Sequence, residues 1–122
     1  MIEQAPQRQP RRAVEPLELA ELTMTSGREG DVHTIALAGE LDLAAAPVVQ
    51  DELERVEASD VSSMVVDLSG LTFMDATGVR LFVHAHARSR ADSDRLMLVR
   101  GSPRVQRVFE LCSVDGLLPF AD

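Results

Sequence analysis

The sequence predicts an α/β fold: a mixed, mainly parallel sheet of four to five strands with helices packed on it, the first two strands antiparallel. Three observations carry that expectation. Short apolar, β-branched runs bounded by turn formers recur, at Val32–Ala38, Met64–Val66 and Leu96–Val99. Helical periodicity alternates with them: Val49, Leu53 and Val56; then Val79, Phe82, Val83 and His86; then Val105, Val108, Phe109 and Cys112. Alternation of this kind builds a largely parallel sheet with covering helices. The two earliest strands are joined only by Gly27-Arg28-Glu29-Gly30, a turn too short for a crossover, so they pair antiparallel.

Residues 1–16 read as a disordered tail and residues 17–122 as one domain. The tail holds three of the six prolines together with Arg8, Arg11 and Arg12, and has little to bury. Leu17 to Ser26 reads as a single strand, in which the alternation slips phase between Leu19 and Leu22, the mark of a bulge. Val32 to Ala38 is the second strand, with His33 expected at the surface. Asp42 is expected to cap the first helix, with Pro47 in its first turn. The acidic residues Asp51, Glu52, Glu54 and Glu57 form its solvated face. Met64-Val65-Val66 is the central strand, ended by the turn formers Asp67, Ser69 and Gly70. The second helix starts after Asp75-Ala76-Thr77-Gly78, with Val79, Phe82 and Val83 toward the core and Arg80, Leu81 and His84 outward. Leu96–Val99, apolar throughout, reads as a buried strand. Ser102 caps and Pro103 opens the third helix, whose apolar face places Cys112 in the core. Asp115-Gly116 turns the chain into a last short strand at Leu117–Phe120.

Composition narrows the function. The chain has 122 residues, enough for one core, and a net charge of -8 in which every basic residue is Arg. That acidic balance argues against a nucleic-acid partner, and the lack of Trp and Tyr removes stacking surfaces for single strands. The single Cys112 allows no internal disulfide. No apolar stretch reaches the roughly 20 residues of a membrane span, and the N-terminus lacks the apolar core of a signal peptide, so a cytoplasmic protein without membrane insertion is expected. There is no glycine-rich nucleotide cradle. His84 and His86 are two apart and diverge on a helix, so they do not form a paired metal site. No metal or cofactor is expected. Thr77, with Asp75 and Asp42, lacks the His or Lys that activates a nucleophile, so no enzyme is expected either.

One stretch stands out. Asp75 and Thr77 lie where a strand hands over to a helix, beside the unpaired N–H groups of the first turn. A carboxylate and a hydroxyl there are either a helix cap or a site of chemistry. Asp67-Leu68-Ser69-Gly70 followed by Phe73-Met74-Asp75-Ala76-Thr77-Gly78 resembles the signature of STAS domains, and more narrowly of bacterial anti-sigma-factor antagonists. Gly39-Glu40-Leu41-Asp42, followed by an Ala-rich segment and Pro47, resembles that family's first loop. The resemblance runs from about Leu17 to the C-terminus. It implies the same architecture, with a final family helix missing or reduced here. It implies a protein partner, an anti-sigma factor that is also a serine-threonine kinase, and phosphorylation at Thr77. The partner surface is then expected around Asp42, Asp75, Thr77, Gly78, Arg80, Leu81 and His84. Two departures from the pattern are Thr77, where Ser is usual, and Ala76, which replaces a frequent Ser. The alternatives are a scaffold subunit of a stress-sensing or lipid-transport complex, and a small-molecule or nucleotide binder.

Overall fold

The computed structural model describes residues 17–19 and 21–121; the expected tail at residues 1–16 lies outside them. The elements run β1 (Leu17–Leu19), β2 (Leu22–Glu29), β3 (Val32–Leu41), α1 (Ala46–Glu57), β4 (Ser63–Met74), α2 (Ala76–Asp92), β5 (Leu96–Val99), α3 (Pro103–Leu111) and β6 (Phe120–Ala121). They form one sheet in the order β1-β2-β3-β4-β5-β6. The pairs β1–β2 and β2–β3 are antiparallel, and β3–β4, β4–β5 and β5–β6 are parallel. The sheet is therefore mixed and mainly parallel, as the strand–helix alternation requires. The phase slip after Leu19 is not a bulge but a hairpin turn, with Leu19 opposite Leu22, so the single expected strand is two.

The core occupies one face of the sheet. Leu22 and Met24 of β2, Ile35 and Leu37 of β3, Met64, Val66 and Leu68 of β4, and Leu96 and Leu98 of β5 are buried against Val49 and Leu53 of α1, Phe82 of α2 and Phe109 of α3. The alternate residues point to an uncovered face. Met97 is accordingly 43% exposed, which corrects the expectation that its strand is buried throughout. Right-handed crossovers that begin and end on neighbouring strands put every helix on the same side. A run of four apolar residues does not reveal that.

β4 is longer than its sequence suggests. Asp67, Ser69 and Gly70 do not end it; the strand continues to Met74 through two irregularities against β3. The register passes from Ala36↔Asp67 to Ala38↔Gly70, and from Gly39↔Leu71 to Glu40↔Phe73. Each step places an extra residue on β4, the geometry of a β-bulge. The Asp67 carboxylate accepts the Ser69 N–H at 2.9 Å inside the first. Cys112 also departs from expectation. α3 ends at Leu111 and Ser113 takes a positive φ of 61°, so the chain turns away before the apolar face reaches Cys112, which is exposed.

His33 is the clearest reversal. It is 7% exposed, beneath α1. Ser26 Oγ donates to Glu52 Oε2 at 2.5 Å and so accepts from His33 Nε2 at 2.7 Å. Glu52 also receives Arg55 Nε and Nη2 at 2.9 and 2.6 Å. Burial, aided by Arg55 and Arg28 and opposed by Glu52, lowers the His33 pKa from 6.5. Burial raises that of Glu52, but its hydrogen bonds from Arg55 and Ser26 outweigh burial and lower it from 4.5. Both folded-state values lie below the unfolded ones. The stabilisation is therefore present above the unfolded pKa and lost as pH falls, below about 6.5 for His33 and below about 4.5 for Glu52. Thermal melts of His33→Gln should fall less steeply than wild type between pH 7 and 5; parallel profiles would remove His33 from the acid response.

Candidate functional site

β3 and β4 end in register, Leu41 opposite Met74. The Asp75 N–H donates to the Leu41 carbonyl at 3.4 Å. The two loops singled out in the sequence thus leave one edge of the sheet side by side, beyond the carboxyl ends of parallel strands, where α/β sheets carry their sites. Asp42 opens one loop. Its carboxylate accepts from the N–H groups of Ala44 and Ala45 at 3.1 and 3.2 Å, so it caps the turn that leads into α1. The helix N-cap itself is Ala45, with no side-chain cap, and Pro47 lies in the first turn as expected. Asp75 is the N-cap of α2, and its Oδ1 accepts the Thr77 N–H at 2.9 Å. Each carboxylate thus gives one oxygen, Oδ1, to backbone donors.

Thr77 is half-buried on the first turn of α2. Among the described residues its hydroxyl has no hydrogen-bond partner, although Arg80 and His84 line the same groove. Gly78 is buried. A Cβ there would come within 2.4 Å of Met74 Cγ and 2.7 Å of its Sδ, so Gly78 lets the helix rest on the end of β4 and presents no side chain to a partner.

Between the N-terminal halves of α1 and α2 lies an open groove of about 370 Å³. Thr77, Arg80, Leu81 and His84 line it from α2; Leu43, Pro47 and Asp51 line it from the α1 side. Leu81 does not point outward: it is 6% exposed. The buried positions of α2 are Gly78, Val79, Leu81, Phe82, Ala85 and Ser89, an arc that turns toward α1 as well as the sheet. Val83, expected toward the core, is half-buried and packs against it, and His86, expected on the same helix face, is half-buried. Periodicity finds the stripe facing a sheet but not the second flank that a neighbouring helix buries. Leu81→Ala should cost about 2–5 kcal/mol in urea denaturation, the range for a buried leucine. A loss under about 1 kcal/mol would place it at the surface after all.

The exposed apolar residue at this edge is instead Leu43, 72% exposed. It was not anticipated, although a lone leucine in a loop of small residues, between Asp42 and three alanines, is a readable signal. Arg80 and His84 are exposed, and neither makes a hydrogen bond or ion pair among the described residues. Further along the two helices, Arg88 Nε and Nη2 reach Glu57 at 2.8 and 3.0 Å and fasten α2 to α1; these bonds raise the Arg88 pKa above its usual value. No helix among the described residues is long and apolar enough to cross a membrane.

Residues 24–119 match the family model described as Mlab, STAS domain. An anti-sigma-B factor antagonist of Listeria monocytogenes is 32% identical over 91 residues, 75% of this chain and 80% of that protein. A crystal structure of an anti-sigma factor antagonist from Mycobacterium paratuberculosis superposes with a TM-score of 0.72 at 21% identity, covering 81% of this chain and 84% of that one. The unphosphorylated form of the anti-sigma factor antagonist SpoIIAA superposes with a TM-score of 0.67 at 24% identity, covering 81% and 88%. At such identities the two structures speak for the fold alone.

Proposed function

The chain belongs to the STAS domain family, among the anti-sigma factor antagonists, and on that premise we propose that it is a phospho-switched binding module. Unmodified, it binds an anti-sigma factor that is also a serine-threonine kinase, in the cytoplasm, and so releases a sigma factor. The kinase transfers the γ-phosphoryl group of ATP to Thr77 Oγ1; ADP leaves, the hydroxyl proton is lost and the complex ends. The observation that carries this reading is the unengaged Thr77 hydroxyl at the lip of a groove, on a helix turn whose neighbouring carboxylate is already tied to backbone. No described side chain hydrogen-bonds that hydroxyl to activate it, which suits a substrate rather than a catalyst. Affinity capture of partners, incubation with ATP and mass spectrometry of Thr77 test the reading. Recovery of a kinase that leaves Thr77 unmodified would overturn it.

Asp75 gives a finer check. Asn caps a helix about as well as Asp. Asp75→Asn should therefore shift stability by less than about 1 kcal/mol while lowering the rate of Thr77 phosphorylation, because the carboxylate also faces the partner. A normal rate would leave Asp75 with capping alone.

The second reading, a scaffold subunit of a stress-sensing or lipid-transport assembly, is favoured by Thr at the position where Ser is usual, since a β-branched side chain is stiffer at χ1 and a poorer mobile acceptor. Capture of a large particle or transporter in place of a small kinase would support it.

A further inference from the structure

The charges around Thr77 divide unevenly. Asp42 and Asp75 each give one carboxylate oxygen, Oδ1, to backbone N–H groups and keep their charge. The basic side chains Arg80 and His84 are exposed and unpaired among the described residues. Asp51 lines the groove from α1 and forms an ion pair with neither. Helix geometry then separates the two side chains. Arg80 lies three residues after Thr77, about 4.5 Å along the axis, and His84 seven residues after it, about 10.5 Å. Side chains lean toward the N-terminus of their helix, so a long side chain at i+3 lies over residue i, whereas a short imidazole two turns away falls short.

Resting on the phospho-switch reading above, we propose that Arg80 is the internal receptor for the phosphate on Thr77, closing a charge-assisted pair along α2 once the modification is made. The guanidinium fork matches phosphate oxygens. Arg80 therefore has two states. With Thr77 bare it stands free at the groove, available to an acidic group of the partner. With Thr77 phosphorylated it turns back along its own helix, and the partner loses a cation as well as meeting the phosphate. The phosphate is part-neutralised where it stands, so neither α2 nor the cap at Asp75 has to open.

The proposal is tested without any kinase, on the full chain with phosphothreonine installed at position 77 during synthesis, by following the phosphate resonance in a ³¹P NMR titration. Free phosphothreonine loses its second proton near pH 6. In the otherwise unchanged chain that ionisation should fall by about half a pH unit relative to Arg80→Gln, a roughly threefold change in acid constant. Arg80→Lys should recover part of it and His84→Gln should leave it unaltered. Equal ionisation in the unchanged chain and Arg80→Gln, or a response to His84→Gln in place of Arg80→Gln, overturns the proposal. The phospho-switch reading fails on a different result, a captured kinase that does not modify Thr77, so the two failures are separable.

Discussion

Phosphorylation of Thr77 should lower affinity for the kinase partner by about 100-fold or more while leaving the fold intact. The phosphate adds a charge of about -1.5 to -2 and three acceptor oxygens. On the free domain this is tolerable: Thr77 is half-buried rather than enclosed, and the first turn of α2 offers partial positive charge worth about 0.3–1 kcal/mol. In an interface the same dianion must be desolvated, at a cost of several kcal/mol without a cation opposite. Each 1.4 kcal/mol is a tenfold change in affinity, so a 100-fold loss needs only about 3 kcal/mol and no refolding. Thr77→Ala should bind persistently and resist the kinase. Thr77→Glu should weaken binding only in part, since it carries one charge and no phosphate geometry. Calorimetry on wild type, Thr77→Ala and the phosphorylated form, with their melting temperatures, decides it. Equal affinity for all three would sink the switch.

The residues that carry this expectation were legible because their chemistry is local. A carboxylate two residues before a hydroxyl, at a strand-to-helix junction, caps that helix in almost any fold, and Asp75 does so here. Asp42 and Thr77 were legible as parts of one surface because both loops follow strands, and the parallel pairing of β3 with β4 brings those loops together. What escaped depended on neighbours distant in sequence. Leu81 is buried because α1 covers that flank of α2, and nothing between Gly78 and His84 encodes α1. His33 looks like a surface residue until Ser26 and Glu52, seven residues before it and nineteen after, supply the partners that make its burial affordable. A lone histidine in a strand is not enough to infer that network.

The fold divides along the same line. Strand and helix identity follow from periodicity, and the mixed, mainly parallel sheet follows from their order. The bulges on β4 do not. Asp67, Ser69 and Gly70 are turn formers in isolation, but pairing with β3 carries the strand through them, while β5 accompanies it only as far as Asp67. Tertiary pairing overrides local propensity here even though beyond Asp67 the strand is held on one edge alone. The consequence for function is direct: continuation of β4 to Met74, rather than a stop near Gly70, sets Asp75 level with Asp42.

Gly39 should be the least replaceable residue outside the core. It has a φ of +93°, and a Cβ built on it would lie 2.1 Å from the carbonyl oxygen of Glu21. That oxygen accepts the Glu40 N–H at 2.9 Å, so it is fixed in the β2–β3 pairing and has no side-chain freedom with which to yield. Gly39→Ala must therefore break the end of that pairing or shift β3. Gly30 is the internal control, with a φ of +62° but open space around its missing Cβ. Gly30→Ala carries only the conformational cost, about 1–2 kcal/mol. Gly39→Ala carries that cost plus the overlap and should lose at least about 4 kcal/mol, a large part of the 5–15 kcal/mol by which a domain is ordinarily stable. The shift also reaches the site, because Leu41, two residues on, supplies the carbonyl that holds the Asp75 N–H. Urea denaturation of the two variants side by side gives the comparison, and any folded fraction of Gly39→Ala should bind the partner poorly although every groove side chain is unchanged. Equal destabilisation at Gly30 and Gly39 would mean that the close approach to Glu21 does not constrain the chain.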